Sequence, residues 1–573
     1  LMGVASVALL YDLVRRRFGR VGGFVAGLAL ALTPITVAVS RHNNPDALLA
    51  LCCVAALWFA VRALEDGSTR RLALAGVCVG LGFETKMGVA LVVVPGIAAA
   101  WLWVLPAARG RLHALGQLLA GGAAMMLVAG AWPALVELTP AADRPWISGT
   151  SDNSVLSLIF GYNGLGRVNG QSGGPGGGGG SMFGGTPGPL RLLDSALGGQ
   201  AGWLLGFAVV GGVSILVASR LRRADPRTGW LVAVGGALAT TAVLFSFAGG
   251  IFHPYYVSLL APFAAALTGA GVAQLIRGGH GTRVLAPLAV IAGVAVELVV
   301  RSRYPGQLPW LSPVLIVVGV LAVIALLAFA DRRVRAAAIG VSAAALLLAP
   351  SVWAIDTLGY ATSGTFPAGG PASAETAGGG GSFGGFGGRP TGARRLGAPS
   401  LFGARAGAPG GPGAGSGARG FASPPGAAGG AQALRGPFGG AGNPFGGAGS
   451  LTQVLAYVKQ HGGGTIAVSS QSSAASAIIA SGAEVAGIGG FSGRESDVSR
   501  SWLSQEVRAG RIRWVLDGQG VAGLRAGLPG DNRTGATTAL AAVASACTRV
   551  TLATSKSSTT EALYDCRGRA AEL

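Results

Sequence analysis

The sequence predicts an α-helical polytopic membrane protein that ends in a small α/β domain. Of its 573 residues, 50% are apolar and only 12% are charged, whereas soluble domains carry roughly 25% charged residues. Apolar runs of about 20 residues, the length of a spanning helix, recur as far as about residue 355. Val21 to Ser40, Leu115 to Val136 and Leu308 to Phe329 are three of them. Beyond residue 450, short apolar and amphipathic runs alternate, as in α/β domains.

The apolar runs divide into twelve predicted membrane segments. Their expected spans are 1–14, 21–40, 46–64, 70–84, 88–105, 115–136, 200–219, 228–247, 254–276, 283–300, 308–330 and 335–354. The opening run, Leu1 to Val14, is short for a span and has no charged leader before it. We therefore expect the chain to begin partway through a membrane helix.

Arginines gather in alternate loops, which is the pattern that orients membrane proteins. Under the twelve-segment count, one side holds the basic loops Arg15–Arg20, Arg62–Arg71, Arg109–Arg111, Arg220–Arg227, Arg277–Arg283 and Asp331–Arg335. The opposite loops are richer in polar, aromatic and acidic residues. The pattern predicts a plasma-membrane protein whose C-terminal region is extracytoplasmic. The net charge of +20 reflects this bias, and without a basic face or motif it does not predict nucleic-acid binding.

Composition divides the chain into three parts: a transmembrane region over 1–356, a Gly/Ala/Pro-rich linker over 357–450, and an extracytoplasmic α/β domain over 451–573. The linker cannot bury enough apolar surface to offset chain entropy, so we expect disorder there. In the last part we predict a mostly parallel sheet, with helices over 451–460, 472–481, 497–509 and 538–547 and strands over 465–469, 484–488 and 512–516.

The five cysteines fall in two environments. Cys52, Cys53 and Cys78 lie in apolar runs, where we expect small buried hydrophobic side chains. Cys547 and Cys566 lie in the predicted extracytoplasmic domain, where a disulfide is permitted. We expect a disulfide between these two.

Ionisable residues close to a membrane are costly and often functional, and one such cluster is Arg41–Asp46 on the predicted outer side. Asn44 suits a helix N-cap and Pro45 a first helical turn. Asp46 would then lie in the first turn, where it either takes part in chemistry or only complements the helix dipole.

Two further outer clusters are Glu84–Lys86 and Phe252–Tyr256. Lys86 would lie at the tip of a tight helical hairpin, where it either binds a phosphate or closes the hairpin by pairing with Glu84. The aromatic cluster is either an interfacial belt or part of a cavity in which His253 carries protons or binds a metal. A single histidine provides no metal-ligand spacing, so a divalent metal stays open.

The long outer loop adds polar and aromatic residues at Asp143–Trp146 and Tyr162–Arg167. They would either line a sugar site or form an ordinary amphipathic re-entrant helix.

Four strings in this order resemble the bacterial glycosyltransferase family 39 proteins, which are similar to protein O-mannosyltransferases and to the aminoarabinose transferase of lipid A. The strings are Arg41-His-Asn-Asn-Pro-Asp-Ala-Leu-Leu49, Glu84-Thr-Lys86, Ser151-Asp-Asn-Ser154 with Tyr162-Asn-Gly-Leu-Gly-Arg167, and His253-Pro-Tyr-Tyr256. The resemblance covers essentially the whole chain.

The resemblance implies a GT-C fold and transfer of a sugar from a polyprenyl-phosphate donor to a lipid, glycan or protein acceptor of the cell envelope. It implies a catalytic role for Asp46 and donor-phosphate binding by Arg41 and Lys86. The residues it implies for the substrate cavity are Asn43, Asn44, Glu84, Asn163, Arg167, His253, Tyr255 and Tyr256. In the family, an acidic pair in an earlier outer loop carries the catalytic base, and we expect this chain to lack that loop.

A transporter or flippase of lipid-linked substrates is the main alternative, because twelve spans also suit transporters. Transporters often contain repeats with interrupted helices in both halves, and we find none here. A non-enzymatic surface adaptor would not need twelve spans. The glycine-rich run Gly487–Gly493 is either a structural turn, a sugar or acceptor site, or a phosphate-binding loop.

Overall fold

The structure is a computed structural model that describes residues 1–104, 110–141, 143–169, 184–360, 366–372, 448–491, 493–517, 535–550 and 562–573. Most of the predicted linker, and the glycine-rich part of the long outer loop, lie outside these residues.

The N-terminal part is helical, as predicted. Its main helices are α1 (Met2–Ala31), α2 (Pro34–Ser40), α3 (Pro45–Asp66), α4 (Thr69–Lys86), α5 (Val94–Val104), α6 (Arg111–Leu138), α7 (Leu205–Ser219), α8 (Pro226–Phe247), α9 (Ala261–Arg277), α10 (Thr282–Ser302), α11 (Leu311–Ala328), α12 (Arg332–Leu346) and α13 (Leu348–Leu358). Short helical segments lie at Met87–Val93, Val155–Ser157, Leu158–Leu165, Gly166–Asn169, Arg191–Leu193, Gly198–Gly202 and Pro254–Leu259.

Helix α1 is a hairpin of two antiparallel halves. The chain turns at Gly19, whose φ of 84° lies in the region that favours glycine. The halves pack so closely that a Cβ on Gly23 would lie 2.7 Å from the Tyr11 carbonyl oxygen. This turn separates the first two predicted segments.

A second reversal follows α4. Met87 has a φ of 51°, and a Cβ on Gly82 would lie 3.1 Å from the Cβ of Ala90 in the returning segment. Helices α3 and α5 end at the same height in the bundle, because Leu64 of α3 and Val104 of α5 both lie next to Gly229 of α8. The stretch from α4 to α5 is therefore the tight helical hairpin that the sequence predicts, with Lys86 at its tip.

Among the described residues, eight helices are long and apolar enough to cross a membrane, or nine if the bent pair α1 and α2 is one span. This count treats the α4–α5 hairpin as a single helix and leaves out α7, which has 15 residues. All twelve predicted segments nevertheless coincide with helical residues. Twelve crossings therefore stay a prediction, with the two hairpins accounting for most of the difference.

The arginine loops meet at one end of the helical bundle, which we call the arginine end. Arg17 forms an ion pair with Glu65 at 3.0 Å, and Arg277 donates to the Arg17 carbonyl at 3.3 Å. At the same end, Trp103 Nε1 donates to the Leu221 carbonyl at 2.9 Å. Loops that the charge pattern assigns to one side thus pack together.

The C-terminal unit is a five-stranded sheet between two layers of helices. Its elements are α14 (Ala448–Gln460), β1 (Ile466–Val468), α15 (Gln471–Ser481), β2 (Val485–Gly487), α16 (Arg500–Arg508), β3 (Trp514–Asp517), α17 (Thr537–Ala546), β4 (Thr548–Val550) and β5 (Ala562–Asp565). Successive β3 residues face opposite layers. Trp514 packs in a core with Val454 of α14, and Val515 in another with Leu540 of α17.

The prediction of a mostly parallel sheet is wrong for half of the strand pairs. The strand order is β2-β1-β3-β5-β4, in which β1 pairs in parallel with β2 and β3, while β5 pairs antiparallel with β3 and β4. The sequence did not reveal β4, because it is an edge strand whose first two residues are exposed and polar. A disulfide joins Cys547 and Cys566, which flank the paired residues Thr548 and Asp565.

Close helix packing predicts the effect of a methyl group at Gly76. A Cβ there would lie 2.1 Å from the Gly121 carbonyl oxygen of α6, so Gly76→Ala should separate α4 from α6 and destabilise the protein by about 1–3 kcal/mol. Gly122→Ala is the control, because nothing lies within 4 Å of a Cβ at that position. Melting temperatures in detergent should fall only for Gly76→Ala, and equal values would contradict the packing described here.

Candidate active site

A buried ion pair joins the start of α3 to the tip of the α4–α5 hairpin. Lys86 Nζ lies 2.5 Å from Asp46 Oδ2, and Asp46 is only 1% exposed. Each charge also suits its own helix end, because Asp46 lies in a first turn and Lys86 in a last turn. We call Asp46 and Lys86 the central pair.

The local sequence explains the position of Asp46. Asn44 is the N-cap of α3, and its side-chain oxygen accepts a hydrogen bond from the Asp46 amide at 2.9 Å. Pro45 occupies the first helical turn, where its missing N–H costs nothing. The predicted cap is thereby confirmed, and it holds the Asp46 backbone at the end of the helix.

Glu84 does not pair with Lys86, although the sequence left that open. Glu84 is exposed, and its Oε1 accepts from the Trp132 amide of α6 at 3.3 Å. Two residues along a helix point in different directions, so Lys86 reaches α3 while Glu84 reaches α6.

Aromatic rings cover the central pair. Lys86 Nζ lies 3.9 Å from the ring centre of Tyr256 and 4.9 Å from that of Tyr255, within the range of cation–π attraction. His253 stacks between Tyr255, at 5.5 Å, and Phe366, at 4.5 Å. The sequence run Phe252–Tyr256 is thus brought onto the hairpin tip.

The long outer loop adds Asn163 and Arg167 to the same surroundings. Asn163 Nδ2 contacts Met87 Sδ at 3.3 Å, beside the central pair. Arg167 donates to the Ile251 carbonyl at 3.0 Å, and its guanidinium lies 5.0 Å from the Tyr162 ring centre. These two residues therefore reach both the hairpin and the segment that carries His253.

Neither Arg41 nor Asn43 has a contact with the central pair among the described residues. The Arg41 guanidinium donates to the main-chain carbonyls of Thr357 and Tyr360, just where α13 ends. Carbonyls at a helix C-terminus lack partners within the helix, so a basic side chain stabilises them. Asn43 is exposed.

Phe366 is a member of the site that sequence reasoning missed. The chain returns over the site after α13, and the buried Gln200 holds it by exchanging hydrogen bonds with Gly369 at 2.7 and 3.0 Å. The Gly370 amide donates to Thr357 Oγ1 at 2.7 Å. The predicted linker begins at residue 357, so its composition masked this ordered segment.

The outer loop also contacts the C-terminal unit. Trp146 and Trp502 pack edge to face with ring centres 5.8 Å apart, and the Gly149 amide donates to Ser496 Oγ at 3.3 Å. Phe491, from the glycine-rich run, lies 5.9 Å from Phe366. Trp146 thus serves in docking between the two parts of the chain.

Asp152 has a structural partner in the same loop. The Ser157 hydroxyl donates to its carboxylate at 2.6 Å, and this hydrogen bond holds the Asp152 pKa below its usual range. The residues that follow form the short helical segments Leu158–Leu165 and Gly166–Asn169.

Among the residues that the structure describes, no group of three or more His, Cys, Asp or Glu side chains lies close enough together to hold a metal ion.

Two family models match the chain. The model described as dolichyl-phosphate-mannose-protein mannosyltransferase matches residues 1–132, and the model described as "Putative mannosyltransferase YkcB-like, C-terminal" matches residues 453–556. Among curated proteins of Bacillus subtilis (strain 168), "Putative mannosyltransferase YkcB" is 33% identical over 482 residues, covering 66% of this chain and 66% of the relative. "Putative mannosyltransferase YycA" is 30% identical over 477 residues, covering 67% and 68%.

Two solved structures are more distant. The crystal structure of ArnT from Cupriavidus metallidurans bound to undecaprenyl phosphate has a TM-score of 0.38 and 18% identity over 61% of this chain and 60% of that chain. The apo form has a TM-score of 0.32 and 17% identity over 63% of each chain.

These matches identify the class as that of membrane glycosyltransferases with a YkcB-like C-terminal unit, and they favour this class over the transporter alternative. The chain belongs to the family of YkcB and YycA. It spans about two thirds of the length of these curated relatives.

The central pair predicts unequal costs for its two single substitutions. Lys86→Met leaves the buried Asp46 carboxylate without its cation, which should cost on the order of 3–5 kcal/mol. Asp46→Asn leaves Lys86, which is 22% exposed and lies over two tyrosines, and should cost less. The measurement is the melting temperature in detergent. The double variant should recover much of the loss in Lys86→Met, and purely additive losses would show that the two side chains do not interact.

Proposed function

We propose that this chain transfers a sugar, of the mannose class, from a polyprenyl-phosphate donor to an acceptor hydroxyl at the outer face of the membrane. The central pair carries the proposal, because it places a carboxylate and an ammonium group together at one end of a helical membrane bundle. The donor and sugar classes follow the names of the matching family and relatives.

The chemistry needs one group for the acceptor and one for the donor. We assign the role of base to Asp46, in place of the earlier acidic pair that the family resemblance implies. Asp46 accepts the proton of the acceptor hydroxyl, whose oxygen then forms a bond with the anomeric carbon of the sugar. The bond between that carbon and the phosphate oxygen breaks, and the lipid phosphate leaves with the electron pair. The Lys86 ammonium stabilises the negative charge on the leaving phosphate.

The surroundings of the central pair suit a substrate of this kind. Lys86 is partly exposed while Asp46 is buried, so an incoming phosphate meets the ammonium first and competes with Asp46 for it. This competition would release the Asp46 carboxylate for the acceptor only when the donor is bound. Tyr255, Tyr256 and His253 provide the apolar wall that ligand cavities usually have, with Asn163 as a polar contact.

The remaining predicted site residues receive indirect roles in this proposal. Arg41 positions the site by fixing the end of α13, from which the Phe366 segment returns. Arg167 orients the outer loop against the His253 segment. Asn44 holds Asp46, and neither Glu84 nor Asn43 has a described contact with the central pair.

The end of the bundle that holds the central pair is proposed to be extracytoplasmic. The arginine end lies opposite, and arginine-rich loops favour the cytoplasmic side. The contacts Trp146–Trp502 and Phe366–Phe491 support the same placement for the C-terminal unit. There it would cover the entrance to the site and contact the acceptor.

Transfer activity tests the function directly. Membranes with the full-length protein are supplied with radiolabelled polyprenyl-phosphate mannose, and label is measured in lipid, glycan and protein fractions of the cell envelope. Asp46→Asn should lower transfer by about 10²–10⁴-fold, the usual contribution of a general base. Asp66→Asn is the matched control at the other end of α3, because its exposed pair with Arg71 contributes little. Wild-type rates with Asp46→Asn would contradict the role of Asp46.

The orientation is tested by thiol labelling of intact cells with a membrane-impermeant reagent. Cys52 and Cys53 are buried and Cys547 is joined to Cys566, whereas Cys78 of α4 is partly exposed, so Cys78 is first replaced by alanine to lower the native background. A cysteine replacing the exposed Arg508 of the C-terminal unit should be labelled. Arg332→Cys, near the arginine end, should react only after the cells are permeabilised. The reverse result would invert the proposed topology.

A further inference from the structure

A cavity lined mainly by arginines lies at the arginine end, opposite the central pair. Its volume is about 610 Å³. It is lined by Arg16, Arg17, Arg222, Ala224, Asp225, Pro226, Arg227 and Arg277. We call it the arginine cavity.

Three stretches that are distant in sequence build this cavity. Arg16 and Arg17 end the first half of α1, just before the turn at Gly19. Residues 222–227 lead from α7 into α8, and Arg277 ends α9. The tendency of basic residues to lie in loops on one side of a membrane does not by itself bring five arginines and one aspartate together in one cavity.

Part of the positive charge is already neutralised within the protein. Arg227 binds Asp225 at 2.6 Å, and this hydrogen bond holds the Asp225 pKa below its usual range, so the carboxylate stays ionised. Arg16 pairs with Asp12 at 2.6 Å. Arg17 pairs with Glu65 at 3.0 Å.

Two arginines of the lining form no ion pair, although Arg222 lies near enough to attract the Asp225 carboxylate. Within the described residues, Arg222 and Arg277 have no carboxylate within ion-pair distance. In the part of the chain that the structure describes, the Arg277 guanidinium donates only to the Arg17 carbonyl, at 3.3 Å, and the buried Nε of Arg17 has no hydrogen-bond partner. Unpaired guanidinium groups that share one concave surface repel each other unless an anion joins them.

We propose that the arginine cavity binds the phosphate of an anionic phospholipid headgroup. Guanidinium groups match phosphate oxygens in pairs of parallel hydrogen bonds. A lipid is favoured over a soluble phosphate because the second half of α1 exposes Val21 and Phe24 directly after the turn. Acyl chains can pack on these side chains while the headgroup occupies the cavity.

The site is separate from the transfer reaction, because the central pair lies at the other end of the bundle. The bound lipid would add contacts to the α1 hairpin, the α7–α8 loop and the end of α9. Stabilisation of the fold by anionic lipid is the expected consequence.

The test compares two arginine variants of one loop in binding assays that do not measure sugar transfer. Arg222→Gln removes an unpaired charge from the lining. Arg220→Gln makes the same change at an exposed residue that does not line the arginine cavity. The melting temperature of the purified protein in neutral detergent is titrated with short-chain phosphatidylglycerol, short-chain phosphatidylcholine and inorganic phosphate.

Phosphatidylglycerol should raise the melting temperature of the wild type and of Arg220→Gln, with little effect of phosphatidylcholine. Arg222→Gln should weaken the apparent affinity by about tenfold or more, the effect of one lost hydrogen bond to a charged group. An equal response to inorganic phosphate that is also lost in Arg222→Gln would keep the phosphate site but assign it to a soluble ion. Equal weakening by both variants, or no stabilisation by either anion, would overturn the proposal.

Discussion

The ion pair between Lys86 and Asp46 determines how the rest of the proposed site is arranged. A carboxylate that is 1% exposed needs a cation close by, because an unpaired buried charge costs several kcal/mol. Lys86 reaches Asp46 because α4 runs back along α3, with Gly82 beside Cys52, and the chain reverses again directly after Lys86, at Met87. The reversal in turn brings Met87 to Asn163 and Lys86 beneath Tyr256. The hairpin, the outer loop and the aromatic cluster therefore all meet at the buried ion pair.

The two ends of the helical bundle differ in how their charges are balanced. At the central pair, one cation meets one anion under aromatic rings, so the site is close to neutral and responds to a ligand that competes for Lys86. At the arginine end, five arginines and one aspartate line the arginine cavity, and Arg222 and Arg277 form no ion pair among the described residues. The nearly neutral central pair favours a ligand that binds and leaves during a reaction. The arginine end favours an anionic ligand that stays bound.

Local sequence patterns predicted most of the helices, the Asn44 cap and the hairpin that carries Lys86. These features depend on residues a few positions apart, which periodicity and capping rules describe. Partners that are distant in sequence were not predicted. Lys86 pairs with Asp46, 40 residues away, instead of Glu84, and Arg41 binds carbonyls more than 300 residues away. The spacing of residues along one helix does not show which of two possible partners a side chain binds.

The Phe366 segment shows a second limit of sequence patterns. Composition assigned it to the linker, but Gln200 and Thr357 provide hydrogen bonds to its backbone that no local pattern contains. Its ring then continues a series of aromatic contacts from Phe491 through Phe366 to His253. The C-terminal unit is thereby packed onto the proposed active site.

Among the described residues, the contacts that dock the C-terminal unit include two ring pairs and hydrogen bonds of 3.3 and 3.4 Å. Each contact of this kind contributes little free energy by itself. The covalent connection makes docking intramolecular, so weak contacts are enough to keep the unit near the site. The same weakness means that the unit can leave without much cost. Under the proposed function, a tethered unit that undocks admits the acceptor and one that docks excludes water, which is what a transfer reaction in competition with hydrolysis requires.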